Sequence, residues 1–224
     1  MAGLNLVLAQ GPNEASEIDF VQMIWDKSIA MICMLCQCFE NSKEKCVEYF
    51  CEDFGEKTIG NFILHTLSKT FIEIDGKSNA NDLIKREMKI VNNKTEKSKK
   101  LNQYQMLSWR DHKDVKDTSF IHCMLKKFAE QKNLILIHCS AGIGRPGTFA
   151  TAAIAFEQFK KQHFQSMVKV LSSLRKQRCQ AVQKAVQYFM IHMLLIECVE
   201  RHLLVDMTEV KRKMRIEYIK ITWR

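Results

Sequence analysis

One histidine, one cysteine and one arginine stand within eight residues of each other in His138-Cys139-Ser140-Ala141-Gly142-Ile143-Gly144-Arg145. These residue types at this spacing can hold an oxyanion and attack it. Successive N–H groups of a short glycine-containing loop, Ser140 to Gly144, can converge on one anion. The planar fork of Arg145 can grip two oxygens of the same anion. The field that holds the anion also favours a thiolate, so Cys139 is expected to be an acidic, nucleophilic thiol. A thiolate held against a bound phosphate is placed to attack it. The chemistry this suggests is transfer of a phosphoryl group to sulfur. For a bare Cys-x5-Arg, a buried structural cysteine in a tight turn is the simpler explanation. His138, the two glycines and the flanking elements weigh against it.

Those flanking elements position the loop. The apolar run Leu134–Ile137 reads as a buried strand, and the pattern from Thr148 to Phe156 reads as a helix. A helix N-terminus directly after the loop adds positive partial charge to the anion site. Elsewhere, Ser16-Glu17-Ile18-Asp19 can cap a helix running to about Lys27. Thr58–Thr66, Thr70–Ile74, Ile84–Val91 and Leu101–Leu107 read as strands. Ile84, Arg86, Met88 and Ile90 alternate on one packed face. Asp75-Gly76 signals a turn, and Asn92-Asn93-Lys94 an exposed connection. Helices are expected at Ser119–Gln131, Pro146–Gln162, Ser166–Lys176 and Lys184–His202. Strands first, helices afterwards and one strand–loop–helix site predict an α/β fold, a twisted mixed β-sheet flanked by helices.

The chain has 224 residues, enough for one sizeable domain, and 46% hydrophobic content. Residues 1–200 read as that domain and residues 201–224 as a basic tail. No apolar run approaches bilayer length. Leu4–Ala9 is a short apolar stretch without a preceding basic residue, which argues against a secretory signal. The net charge is +9, partly from Lys94–Lys100 and partly from the tail after Glu209. Such runs could draw acidic substrates, phospholipid or nucleic acid. Neither carries a nucleic-acid motif, so no nucleic-acid partner is expected, and both read as solvated segments with at most weak attraction to acidic surfaces. There are nine cysteines. Cys33-x2-Cys36 has zinc-ligand spacing, with Cys38 nearby, but no second pair matches it. These thiols are read as small buried hydrophobes, and no metal or other cofactor is expected. A required thiolate favours a reducing compartment, so the expected location is cytoplasmic.

The Cys139 loop resembles the signature loop of the protein tyrosine phosphatases, and other segments resemble that family in the same order. Ala9-Gln10-Gly11-Pro12, Phe20 and Met23-Ile24-Trp25 resemble the approach to its first long helix. Ile29–Leu35 resembles the strand that follows. Glu40, Lys45-Cys46 and Tyr49-Phe50 resemble its E-loop. Gln105 and Ser108-Trp109-Arg110-Asp111-His112 resemble its mobile acid loop. Arg175-Lys176-Gln177-Arg178, Val182-Gln183 and Gln187-Tyr188 resemble its glutamine loop. The resemblance runs from about Leu6 to Cys198 and is that of a non-receptor-like catalytic domain shortened at its N-terminus.

The resemblance implies hydrolysis of phosphotyrosine in proteins through a cysteinyl phosphate. Cys139 would be the nucleophile. The amides of Ser140, Ala141, Gly142, Ile143, Gly144 and Arg145, with the Arg145 side chain, would bind the phosphate oxygens. Asp111 would be the general acid, and Trp109 the anchor of its loop. Gln183 would position the hydrolytic water with help from Gln187. Glu40 would hold Arg145 by a two-pronged ion pair, and His138 would tune Cys139 or serve as a satisfied core histidine. The chain departs from the family in four places. Pro146 replaces a Ser or Thr whose hydroxyl contacts the sulfur. Arg110 replaces the proline of Trp-Pro-Asp. The stretch from Asp111 to Cys139 is shorter. The family's N-terminal segment, with its Lys-Asn-Arg-Tyr motif, precedes anything matched here. These departures leave two further readings beside the enzyme: a phosphotyrosine-holding pseudophosphatase, and a phosphatase of dual specificity.

Overall fold

The computed structural model describes residues 4–73, 82–109 and 119–222. Its centre is a seven-stranded mixed sheet in the order β1-β9-β2-β8-β7-β6-β5. Strands β1 (Leu6–Gln10), β9 (Ile135–Cys139), β2 (Met31–Met34) and β8 (Ser98–Met106) run parallel. Strands β7 (Leu83–Asn92), β6 (Phe62–Phe71) and β5 (Gly55–Ile59) continue antiparallel from β8. β2 and β9 are buried along their whole length. That burial explains their unbroken apolar runs, because a parallel strand covered on both faces has no polar side to alternate. A two-stranded ribbon, β3 (Phe39–Glu40) and β4 (Lys43–Glu44), stands apart from the sheet.

Six helices are described: α1 (Glu17–Asp26), α2 (Ser119–Glu130), α3 (Gly144–Lys160), α4 (Met167–Gln177), α5 (Ala185–Leu203) and α6 (Thr208–Thr222). Helix α3 packs on β9, β1, α4 and α5, and nearly every residue from Gly144 to Phe156 is buried. A helix apolar on all sides belongs in the middle of a layer. Among the described residues, no helix is long and apolar enough to cross a membrane.

Several expectations shift. Thr58–Thr66 is not one strand. The chain turns at Gly60-Asn61, pairing Ile59 with Phe62, because Gly60 takes a left-handed φ of 56°. Thr70 and Phe71 end β6 and do not start a new strand; Ile74 and the expected Asp75-Gly76 turn lie outside the described residues. Leu6–Gln10, seen only as an apolar stretch, is a sheet strand hydrogen-bonded beside β9. Ser16 precedes α1 but does not cap it. Its hydroxyl meets Asn13 Oδ1 at 2.7 Å. Ser166 does cap α4, accepting from the Lys169 amide at 3.3 Å. Lys94–Lys100 is loop only in part, since Ser98 to Lys100 belong to β8. Much of the basic tail is helix α6, held by Tyr218 stacked on Phe189 at 4.2 Å and by Lys211 bonded to Glu200 at 2.6 Å.

Candidate active site

Strand β9 delivers His138 and Cys139 to the end of the sheet, and α3 begins five residues after Cys139 with Gly144-Arg145. The helix starts two residues earlier than its sequence pattern indicated, so Arg145 lies in its first turn. Between the two elements the loop turns its carbonyls outward. The Gly11 amide donates to the carbonyls of Cys139 (2.6 Å) and Ser140 (3.0 Å). Arg178 Nε donates to the Gly142 carbonyl at 3.2 Å. The Val182 amide donates to the Ile143 carbonyl at 3.0 Å. With the carbonyls bound outside, the loop amides can face the Cys139 sulfur. The Gly142 amide lies 3.4 Å from Cys139 Sγ. Gly142 has φ 70°, and a Cβ there would stand 2.2 Å from the Ala9 carbonyl oxygen. Only glycine meets both demands.

Arg145 is fully buried and held from behind. Nη1 meets Glu40 Oε1 at 2.6 Å and Nη2 meets Glu40 Oε2 at 3.3 Å. Nη1 also donates to the Trp109 carbonyl at 2.8 Å. Burial opposes the guanidinium charge, but the Glu40 carboxylate and the Cys139 thiol outweigh it, leaving the Arg145 pKa raised. The ribbon β3–β4 therefore orients Arg145 through Glu40. Trp109 is 1% exposed and lies at the end of the second described segment. Arg110 and Asp111 lie outside the described residues.

The glutamines arrive from the other side. A Cβ on Gly144 would stand 2.7 Å from both Gln183 Oε1 and Gln187 Nε2. Gln187 is 1% exposed, and its Oε1 accepts from the amides of Gln183 (2.9 Å) and Lys184 (3.2 Å). Its Nε2 is buried and has no acceptor among the described residues. Just before Gln183, Val182 has φ 66°. A β-branched residue in the left-handed region is strained. Three bonds hold it there: its amide to Ile143, and Arg175 to the carbonyls of Ala181 (2.9 Å) and Val182 (2.8 Å). No sequence pattern foretold this strain.

A buried polar chain leading to His138, next to Cys139, was also not foreseen. Gln103 Nε2 donates to the Tyr49 hydroxyl at 3.0 Å, and Tyr49 meets His138 Nε2 at 2.9 Å. Tyr49 already receives a proton from Gln103, so its own O–H points to His138 Nε2. The His138 proton then sits on Nδ1, which is 3.4 Å from the Cys139 carbonyl. Burial lowers the His138 pKa to about 4, so the ring is neutral. Burial pushes the Tyr49 hydroxyl well up, keeping it a donor. The chain extends from Gln103 to Arg86 (3.0 Å), and from Arg86 to Glu52 at the surface (2.6 Å). The alternation in β7 did place Arg86 on the packed face. Its partners come from distant strands and could not be read locally.

Pro146 is buried in the first turn of α3. Its missing N–H is one of the donors that no helical carbonyl would take, and the first i→i+4 bond runs from the Gly147 amide to Ile143.

Comparison with known proteins fits this arrangement. The family model described as protein-tyrosine phosphatase matches residues 3–197. The chain is 29% identical over 197 residues to receptor-type tyrosine-protein phosphatase C of Homo sapiens, covering 85% of this chain and 14% of that protein. It is 31% identical over 201 residues to tyrosine-protein phosphatase 2 of Dictyostelium discoideum, covering 85% of this chain and 51% of that protein. The chain thus spans only part of the length of these relatives. The solved structure of PTPN18 in complex with HER2 phosphopeptides aligns with a TM-score of 0.77 at 23% identity, covering 87% of this chain and 66% of that one. At that identity the likeness is one of fold.

Proposed function

The chain belongs to the protein-tyrosine phosphatase family, and from that premise we propose that it hydrolyses phosphotyrosine in proteins through a cysteinyl phosphate. The observation that supports this reading is that one loop gathers the parts: the Gly142 amide meets Cys139 Sγ, Arg145 is paired with Glu40, and Gln183 and Gln187 approach Gly144.

In the first step Cys139 Sγ attacks phosphorus, and an S–P bond forms as the P–O bond to tyrosine breaks. The loop amides and Arg145 stabilise the charge spread over the equatorial oxygens. Asp111, two positions after Trp109, gives its proton to the leaving phenolate. In the second step water attacks the same phosphorus. The ionised Asp111 takes the water's proton, the P–S bond breaks, and inorganic phosphate leaves. Gln183 and Gln187 orient that water; Gln187 Nε2, which has no acceptor among the described residues, supports this role.

Pro146 favours a slow second step. It stands where the family resemblance puts a hydroxyl on the sulfur, and proline has none to offer. Sulfur is then a poorer leaving group, and the enzyme dwells as cysteinyl phosphate. The test is phosphate release from phosphotyrosine and phosphothreonine peptides, with Cys139→Ser as control. The expected result is release from phosphotyrosine alone, abolished in the variant. Peptide binding without release would favour the holding module, and equal release from both peptides would favour dual specificity.

A further inference from the structure

We infer that Cys36, Cys46 and His138, with Cys38 beside them, form a binding site for a thiophilic divalent cation of the zinc type, set behind the Cys139 loop. The sequence spacing pointed to Cys33 and Cys36 as a pair. The fold instead turns Cys36 toward Cys46 and His138, and the ligand atoms of these three buried residues lie within 4.8 Å of one another. Around a tetrahedral zinc, with Zn–S of about 2.3 Å, sulfur ligands stand ~3.8 Å apart. The three groups would need to draw in by roughly 1 Å or less.

Each ligand has a chemical reason to serve. Neutral imidazole with one unprotonated ring nitrogen is the form that binds a metal. His138 has that form, with Nδ1–H directed at the Cys139 carbonyl. A ligating histidine usually anchors its other nitrogen in this way. Nε2 is the ligand, and the Tyr49 hydroxyl that now meets it would shift to a neighbouring acceptor. Cys46 lies beside both other thiols. Cys38 is only half-buried, so it is the group an arriving ion meets first and the natural fourth ligand. Space comes from Gly11, where a Cβ would stand 2.6 Å from Cys46 Cβ. On binding, the thiols lose their protons to solvent and each S–H is replaced by an S–metal bond.

The site is distinct from the nucleophile, because Cys139 is not one of the three clustered residues. It reaches the reaction centre in two ways: His138 adjoins Cys139, and Cys38 and Cys46 flank the ribbon that carries Glu40.

The experiment is a Co2+ titration of the whole, reduced chain, followed by Zn2+ displacement and native mass spectrometry. About one ion per chain should bind tightly, with a thiolate-to-cobalt charge-transfer band that Zn2+ removes. Cys139→Ser should keep the band. Cys36→Ser and Cys46→Ser should weaken binding by ~10-fold or more. If those variants fail to fold, wild-type protein answers alone: Zn2+ should protect Cys36 and Cys46 from alkylation. The inference is overturned by absence of a thiolate band. It is overturned equally if Cys139→Ser loses the band while Cys36→Ser keeps it, or if Cys36 and Cys46 alkylate at the same rate with and without Zn2+. None of these readouts depends on phosphatase activity.

Discussion

At the level of single residues, the proposed chemistry turns on Cys139 and Pro146. Cys139 sits where the Gly142 amide and the start of α3 both favour negative charge on sulfur. Iodoacetate should therefore modify Cys139 ahead of the exposed Cys179, and phosphate or vanadate should protect it. Modification of Cys179 first, with no anion protection, would remove the nucleophile. Pro146 is the residue to change for the second step. Pro146→Thr should raise steady turnover by ~10-fold, which corresponds to ~1.4 kcal/mol of transition-state stabilisation. An unchanged steady rate would show that the missing hydroxyl is not what slows release. The two residues differ in how they were legible. Cys139 announces itself by its eight-residue setting. Pro146 is informative only against the family pattern, since in the structure it is an ordinary occupant of a first helical turn.

The site is held by short elements whose importance exceeds their size. The β3–β4 ribbon has two residues per strand, yet Glu40 on it carries the only carboxylate bonded to Arg145 among the described residues. The Arg145 side chain is fully buried and that of Glu40 is 10% exposed. Removing one partner of such a pair leaves a buried charge uncompensated. Glu40→Ala should cost about 3–5 kcal/mol of stability and weaken phosphate binding. A loss below ~1 kcal/mol in urea unfolding would mean that Arg145 finds another partner. The glutamine loop is the second such element. Val182→Gly should relieve left-handed strain of ~1 kcal/mol or more while losing a buried side chain, and should slow hydrolysis of the intermediate by loosening Gln183. An equally fast variant would separate the strain from the reaction. These elements also mark where sequence reading stopped. Apolar runs disclosed β2 and β9, and helical periodicity disclosed α3, α4 and α5, because burial on those faces is written in adjacent residues. The Gly60 turn was hidden inside a β-forming stretch. The strain at Val182 and the chain from Arg86 to His138 arise from contacts between distant segments, which no local pattern encodes.

At the scale of the whole molecule, the fold brings residues from separate segments around one loop, and it does so by burying polar groups. His138 couples the fold to pH. Its folded pKa, about 4, lies below the ordinary value of 6.5. The unfolded chain therefore binds the extra proton first as pH falls. The stabilisation is complete above about pH 6.5 and is lost as pH drops toward 4, by an amount on the order of 3 kcal/mol. Urea unfolding of metal-free wild type should lose that much relative to His138→Gln across this window. Parallel pH profiles would place the sensitivity elsewhere. The central claim is covalent catalysis by Cys139, and the most direct measurement is rapid acid quenching of the enzyme with a radiolabelled phosphotyrosine peptide. The account predicts labelled protein rising to about one phosphate per site within the first turnover, with label on Cys139 and none on Cys139→Ser. Steady release of phosphate from a wild-type enzyme that never carries the label would contradict it.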